Sequence, residues 1–358
     1  MLCMILALCV MAKNEEKVIG RLIDSVAGHV DKVILSDTGS TDRTIEVATE
    51  ACARNSLGLE IEEVEWVDFA HNRSSAMKFA EGKADYVLIG DADETFTFNG
   101  FDKDALEKDA YYLHYTGGEF YRNILLVRNN IGWYYEGRTH EAIKSDNLET
   151  AASLDTVIVT HHEDGGSRSN KYERDLVLLQ QDLDDDFHPE RTTFYMAQTY
   201  EGLDDFEKAA EWYTKRAEMG GWEEERWLAQ MRAAKLSRDF DGCLEAWSAR
   251  PHRLEPLYYA AHIAGAHEDW PMMEMLSRHG LGVVVEGRVK MNDFLFVEKW
   301  IYEIGFLVCN FVARIKQGLP VYDISDKVPR DSKHWNHIER VAKHYEIDLH
   351  KMLGTDAA

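Results

Sequence analysis

The stretch Tyr86-Val87-Leu88-Ile89-Gly90-Asp91-Ala92-Asp93-Glu94 sets four apolar residues against three acids in four positions. An unbroken apolar run of this length, ended by glycine, reads as a buried strand. The acids then stand at its carboxyl end, the place where an open parallel sheet binds its ligands. Carboxylates crowded together raise one another's energy unless a cation or a set of donors compensates them.

Three readings compete for these acids. One is a solvated turn in which they cap the following helix. A second is a phosphatase, because Leu88–Thr95 resembles the strand-DxDxT signature of the haloacid-dehalogenase type. That type carries the signature on its first strand, whereas here about 90 residues of strand and helix precede it. The third is a nucleotide diphosphate held through Mg2+ or Mn2+, since two carboxylates one residue apart can share a cation and leave positions for phosphate oxygens. The cation would stabilise a departing diphosphate.

The neighbouring strand ends bear on the choice. Alternation predicts strands at 4–11, 32–36, 59–66 and 85–90, and helices at 15–29, 41–55 and 72–83. This pattern implies an α/β sheet covered by helices. Later short strands at 109–116, 123–129 and 156–161 look like additions at the far edge. Asn14 and Glu15 follow the first strand, and Asp37 ends the second, ahead of a Gly-Ser-Thr turn and a helix capped by Thr41 or Asp42. An Asp in that position can accept a hydrogen bond from a base N–H. Arg73 offers a partner for a base or a phosphate. A nucleotide-sugar site uses this set and a phosphatase does not.

The segments Met11–Val26, Asp31–Ala48 and Asn72–Glu94 together resemble the family 2 glycosyltransferases of GT-A fold, over residues 3 to about 165. The "NEE", "DTGSTDRT" and "DADE" elements stand in that family's order and spacing. The resemblance implies an α/β GT-A (Rossmann-like nucleotide-diphospho-sugar transferase) domain and a UDP- or other NDP-sugar donor. It also implies a divalent metal, Mn2+ or Mg2+, and inversion at the anomeric carbon. Donor contacts then fall on Met11, Lys13, Asn14, Glu15, Asp37, Thr38, Arg73, Asp91, Ala92 and Arg138, and metal contacts on Asp91, Asp93 and His161 or His162. The family's usual Asp-Asp before Gly-Ser is Asp37-Thr38 here, a form met in a prokaryotic and phage subset with C-terminal tetratricopeptide-like helices.

An inverting transfer needs a carboxylate to take the acceptor's proton. Glu141, in "WYYEGRTHEAI", is the first candidate and Asp164 the second. Trp133 is a candidate for stacking on a sugar ring. The Gly-rich stretch 163–170 reads as a loop closing over the diphosphate, with Arg168 or Lys171 meeting phosphate.

All six prolines lie after residue 188. There the chain becomes helical, and "DDFEKAAEWYTKR" aligns with "RDFDGCLEAWSAR" 34 residues on, the period of tetratricopeptide helix pairs. A third unit begins near "EDWPMMEML". The expected organisation is a catalytic domain over 1–168 and an all-α tetratricopeptide-like domain over 169–358, with a possible protein partner on the repeats. An adaptor whose sheet domain is only a scaffold is the rival reading. A retired site has no physical reason to keep Asp37, Asp91, Asp93 and Arg73 together. A nucleotidyltransferase is a further rival, but it would carry a Gly-rich basic loop after the first strand, where this chain has the acidic "MAKNEE".

With 40 basic and 64 acidic residues the formal charge is −24. The chain as a whole therefore attracts neither nucleic acid nor anionic membrane, which disfavours a polyanionic acceptor unless a local cationic cleft exists. Five scattered cysteines without CxxC spacing imply a reduced, cytoplasmic protein. The apolar N-terminus, about eleven residues, is too short to span a membrane, which takes about 20. Sugar and acceptor stay open: glycan, lipid, protein or a modified nucleobase in DNA.

Overall fold

The computed structural model describes residues 4–116, 122–165, 171–287, 296–319 and 333–347. It divides into two compact units, 1–195 and 196–358. The expected boundary, 168/169, lies further upstream. The difference has a local cause. Helix α4 (Lys171–Asp184) returns to the sheet unit through Asp182, which accepts from Arg138, and Asp175, which accepts from Thr139.

The first unit is built on strands β1 (Leu6–Ala12), β2 (Lys32–Asp37), β3 (Gly58–Glu63) and β4 (Tyr86–Asp91), all parallel. Between them run helices α1 (Ile19–Val26), α2 (Thr44–Arg54) and α3 (Phe69–Ala80). Strand β5 is Glu94–Phe98, β6 Ala110–Tyr115, β7 Arg122–Arg128 and β10 Ala151–His161. The eight-stranded sheet runs β3-β2-β1-β4-β7-β6-β10-β5, and Tyr134–Glu136 (β8) pairs apart with Ala142–Lys144 (β9).

Alternation along β1 explains both layers. Leu6, Leu8 and Val10 face α1, whose Ile19, Leu22, Ile23 and Val26 repeat at helical spacing and are fully or nearly fully buried. Ala7 and Cys9 face the opposite side, where Ala76, Met77 and Ala80 of α3 pack. Each large aliphatic side chain buried in this way contributes roughly 1.5–3 kcal/mol.

The order β3-β2-β1-β4 leaves a topological switch between β1 and β4. Their register sets the strand ends level, with Ala12 opposite Asp37 and Met11 opposite both Ser36 and Asp91. Parallel strands whose carboxyl ends coincide form the crevice where ligands bind in such sheets.

In the second unit α6 (Phe206–Glu218) packs on α7 (Glu223–Ser237), α8 (Phe240–Ala249) on α9 (Glu255–Ala266) and α10 (Trp270–Val285) on α11 (Phe306–Lys316). Within this unit one kind of corner recurs. Asp204, Arg238 and Glu268 are left-handed, with φ of 58°, 54° and 60°. Each is followed by an aspartate, Asp205, Asp239 or Asp269, that caps the next helix by accepting from the N–H three residues on. An aromatic residue then opens the helix. The first two corners lie 34 residues apart, as the repeat predicts.

Candidate active site

The loops after β1 and β2 are laced together. Asn14, at φ 57°, donates its N–H to Ser40 Oγ at 2.9 Å and accepts from Thr41 N at 2.8 Å. The Glu15 N–H donates to Thr44 Oγ1 at 2.7 Å, and Thr38 N–H to the Ala12 carbonyl at 2.9 Å. The expected donor-side residues Asn14, Glu15, Asp37 and Thr38 thus occupy one wall. Lys13 points to solvent, Met11 is half-buried between β2 and β4, and Ala92 is buried.

Asp37 is 2 % exposed. Its Oδ2 accepts from the N–H groups of Gly39 and Ser40 at 3.0 and 2.8 Å. Its Oδ1 is buried without a hydrogen-bond partner among the described residues. An unsatisfied buried acceptor costs about 1–3 kcal/mol, so such an atom calls for a donor from a ligand.

Across the crevice Arg73 works as a fork. One Nη lies 2.6 Å from Asp91 Oδ1 and Nε lies 2.6 Å from Glu141 Oε1. Its guanidinium stands 5.8 Å from the Tyr135 ring. The two carboxylates hold its pKa far above the ordinary arginine value, against the opposing effect of burial. This pairing brings Glu141, 68 residues away in the chain from Arg73, beside the end of β4.

Glu94 was not among the expected site residues. It is 3 % exposed, accepts from Asp91 N–H at 3.0 Å and from the Tyr115 hydroxyl at 3.0 Å. Burial, and then the Asp91 charge, push its carboxyl up to about 8. The acid run in the sequence held the signal, since three acids at one strand end cannot all remain ionised cheaply.

Among the other acids and histidines, the structure brings Asp93 and His161 together, with Oδ2 and Nε2 3.1 Å apart. Gly165 also approaches Asp93, and a Cβ there would sit 3.1 Å from Oδ2. His162 turns instead to Thr95 Oγ1 at 2.8 Å, and Asp91 turns to Arg73. No group of three His, Cys, Asp or Glu that could hold a metal forms among the described residues. A carboxylate and an imidazole suit a first-row divalent ion such as Mn2+ better than Mg2+, and cis ligands of an octahedral ion with bonds of about 2.1 Å stand about 3 Å apart. The remaining ligands would come from phosphate and water.

Asp164 forms a two-pronged ion pair with Arg21, at 2.8 and 2.6 Å, which lowers its carboxyl pKa. Arg138 is held by Asp182 and Asp185 of the α4 segment, at 2.6 and 2.5 Å. Trp133 is 6 % exposed and donates to the Arg128 carbonyl, so it is a core residue rather than a sugar platform. Arg168 lies outside the described residues, and Lys171 opens α4.

Residues 7–112 match the Glycosyl transferase family 2 model. Over that span the N-terminal unit is similar to the family 2 glycosyltransferases. The matched span holds the DTGSTD and DADE strand ends, and it lies within the α/β sheet unit, with a helical region after it. A TPR repeat-containing protein of Synechococcus elongatus is 38% identical over 89 residues, covering 25% of this chain and 20% of that protein. An uncharacterized glycosyltransferase of Rickettsia typhi is 37% identical over 87 residues, covering 24% and 26%. The chain thus spans about a fifth to a quarter of these relatives. A mannosyltransferase from Pyrobaculum calidifontis, solved with GDP-Man and Mn2+, overlays at a TM-score of 0.40 and 14% identity, covering 85% of this chain and 86% of that one.

Proposed function

We propose that the chain transfers a sugar from a nucleoside-diphosphate sugar, with UDP as the nucleotide, to an acceptor hydroxyl with inversion. The observation that carries this reading is the buried Oδ1 of Asp37, without a partner among the described residues, at the carboxyl end of β2 one strand from the switch that holds Asp91. An imide N–H of the base supplies the donor that Asp37 lacks. Asp91 and Asp93 stand where the ribose and diphosphate of such a ligand would follow.

Glu141 is the better base of the two candidates. It lines a cavity of about 330 Å³ together with Asp91 and Arg73, whereas Asp164 does not line it. In the transfer, the acceptor oxygen bonds to the anomeric carbon, the bond from that carbon to the diphosphate breaks, and the hydroxyl proton passes to Glu141. Arg73 orients Glu141 and pairs with Asp91 beside it. Asp93 and His161 would hold the divalent cation, which when bound neutralises the departing diphosphate.

The test is titration calorimetry of the full chain with UDP, GDP and ADP, with and without Mn2+. UDP is expected to bind, and Asp37→Asn should weaken it about tenfold or more, because hydrogen bonds to charged groups are worth about 1.5–3 kcal/mol. Asn keeps a carbonyl for Gly39 and Ser40 but turns a donor toward the base. Absence of binding by any nucleotide to the folded protein overturns the reading.

A further inference from the structure

The acceptor subsite has a charge pattern of its own. Nine arginines are described in the first unit. Seven of them, Arg21, Arg43, Arg54, Arg73, Arg128, Arg138 and Arg174, lie within 3.5 Å of a carboxylate oxygen. In a chain of net charge −24 that is the ordinary fate of an arginine. The other two, Arg122 and Arg191, line the cavity that holds Asp91, Glu94 and Glu141.

Neither has a carboxylate partner among the described residues. Arg122 donates to Ser153 Oγ at 2.7 Å and stands 5.2 Å from the Tyr112 ring. Arg191 donates to the His140 carbonyl at 3.2 Å and stands 4.9 Å from the Tyr195 ring. A guanidinium has five N–H donors, so each keeps most of its capacity for something else. Two exposed strand and helix positions on one cavity, β7 and the first turn of α5 (Pro189–Gly202), present it. Tyr112 and Tyr115 also line the cavity, and a volume of about 330 Å³ is at the small end for a ligand site.

We propose that this cavity takes an acceptor of about monosaccharide size that carries an anionic group, phosphate or carboxylate, together with the accepting hydroxyl. Guanidinium groups pair with both anions through parallel N–H···O bonds. Arg122 and Arg191 grip the anion at the mouth, and the hydroxyl turns inward toward Glu141. The inference rests on the glycosyl-transfer reading. It limits what the net charge excludes: the molecule repels polyanions at long range, while this cavity selects one anionic group at contact distance.

The experiment titrates the full chain with glucose 6-phosphate, glucuronate and glucose by ligand-detected NMR, without nucleotide and again with saturating UDP. The expected result is that one or both anionic sugars bind about tenfold or more tightly than glucose. Arg122→Gln and Arg191→Gln each remove most of that preference, and UDP does not displace the sugar. A larger effect for glucose 6-phosphate identifies phosphate as the recognised group, and for glucuronate carboxylate. Equal affinity for all three sugars, or displacement of the anionic sugar by UDP, overturns the inference while leaving the donor reading intact. An anion preference lost in Arg122→Gln, in a protein that binds no nucleotide, supports the anion site and sinks the donor reading instead.

Discussion

Arg73 joins two strand-end acids that the chain order keeps far apart, and its side chain is only 15% exposed. Removing one partner of a buried ion pair leaves charge without compensation, at a cost of about 3–5 kcal/mol. Arg73→Met should therefore lower stability by about 3 kcal/mol in urea unfolding and abolish transfer, and Arg73→Lys should restore little, since an ammonium cannot fork. His140, next to Glu141, stacks on Tyr195 with centroids 3.9 Å apart, and burial together with nearby Lys171 and Arg191 lowers its pKa to about 4. In the unfolded chain it titrates near 6.5. The unfolded state then binds the extra proton between those values, so stability is whole above pH 6.5 and falls with acid by about 1.4 kcal/mol per pH unit down to pH 4. His140→Phe should flatten that part of a stability-against-pH curve. The positions of Asp37 and Asp91 could be read from the sequence because strand ends announce themselves, while Arg73, inside α3, is set by its contacts. Arg122 and Arg191 could not, since their distinction is the acid each lacks, and that is visible only in three dimensions.

The central strands were legible because a strand buried on both faces is a continuous apolar run, and β1, β2 and β4 are such runs. The five-residue β5 and the three-residue β8 and β9 were not, because so few residues carry no period. The helix of Asn72 starts earlier than expected, at Phe69, since Asp68 accepts from His71 N–H and caps it. The repeat in the second half is clearest at its corners, where a left-handed residue, an aspartate cap and an aromatic recur. Each cap satisfies a helix N–H that would otherwise be orphaned. Asp205→Ala, Asp239→Ala and Asp269→Ala should each cost about 1 kcal/mol in chemical unfolding. The three losses should add, because the caps serve different helices.

Taken as a whole, the molecule carries a surplus of 24 negative charges and repels itself. Its melting temperature should rise by several degrees as NaCl goes from about 20 to about 300 mM, because the added salt screens exposed charges. A flat or falling melting temperature would mean that the ion pairs on its surface outweigh the repulsion. The pairing of Asp93 with His161 and of Arg73 with Glu141 has a consequence for synthesis. Each contact spans 68 residues. A nascent chain that has exposed residues 7–112, the whole family-matched span, still lacks Glu141 and His161. The ribosome must deliver the chain past residue 161, and β10 must take its place beside β5, before the centre exists. On the proposed function, an unfinished or truncated chain would lack the base and part of the cation site, and the pairing of β10 with β5 would be the step that completes them.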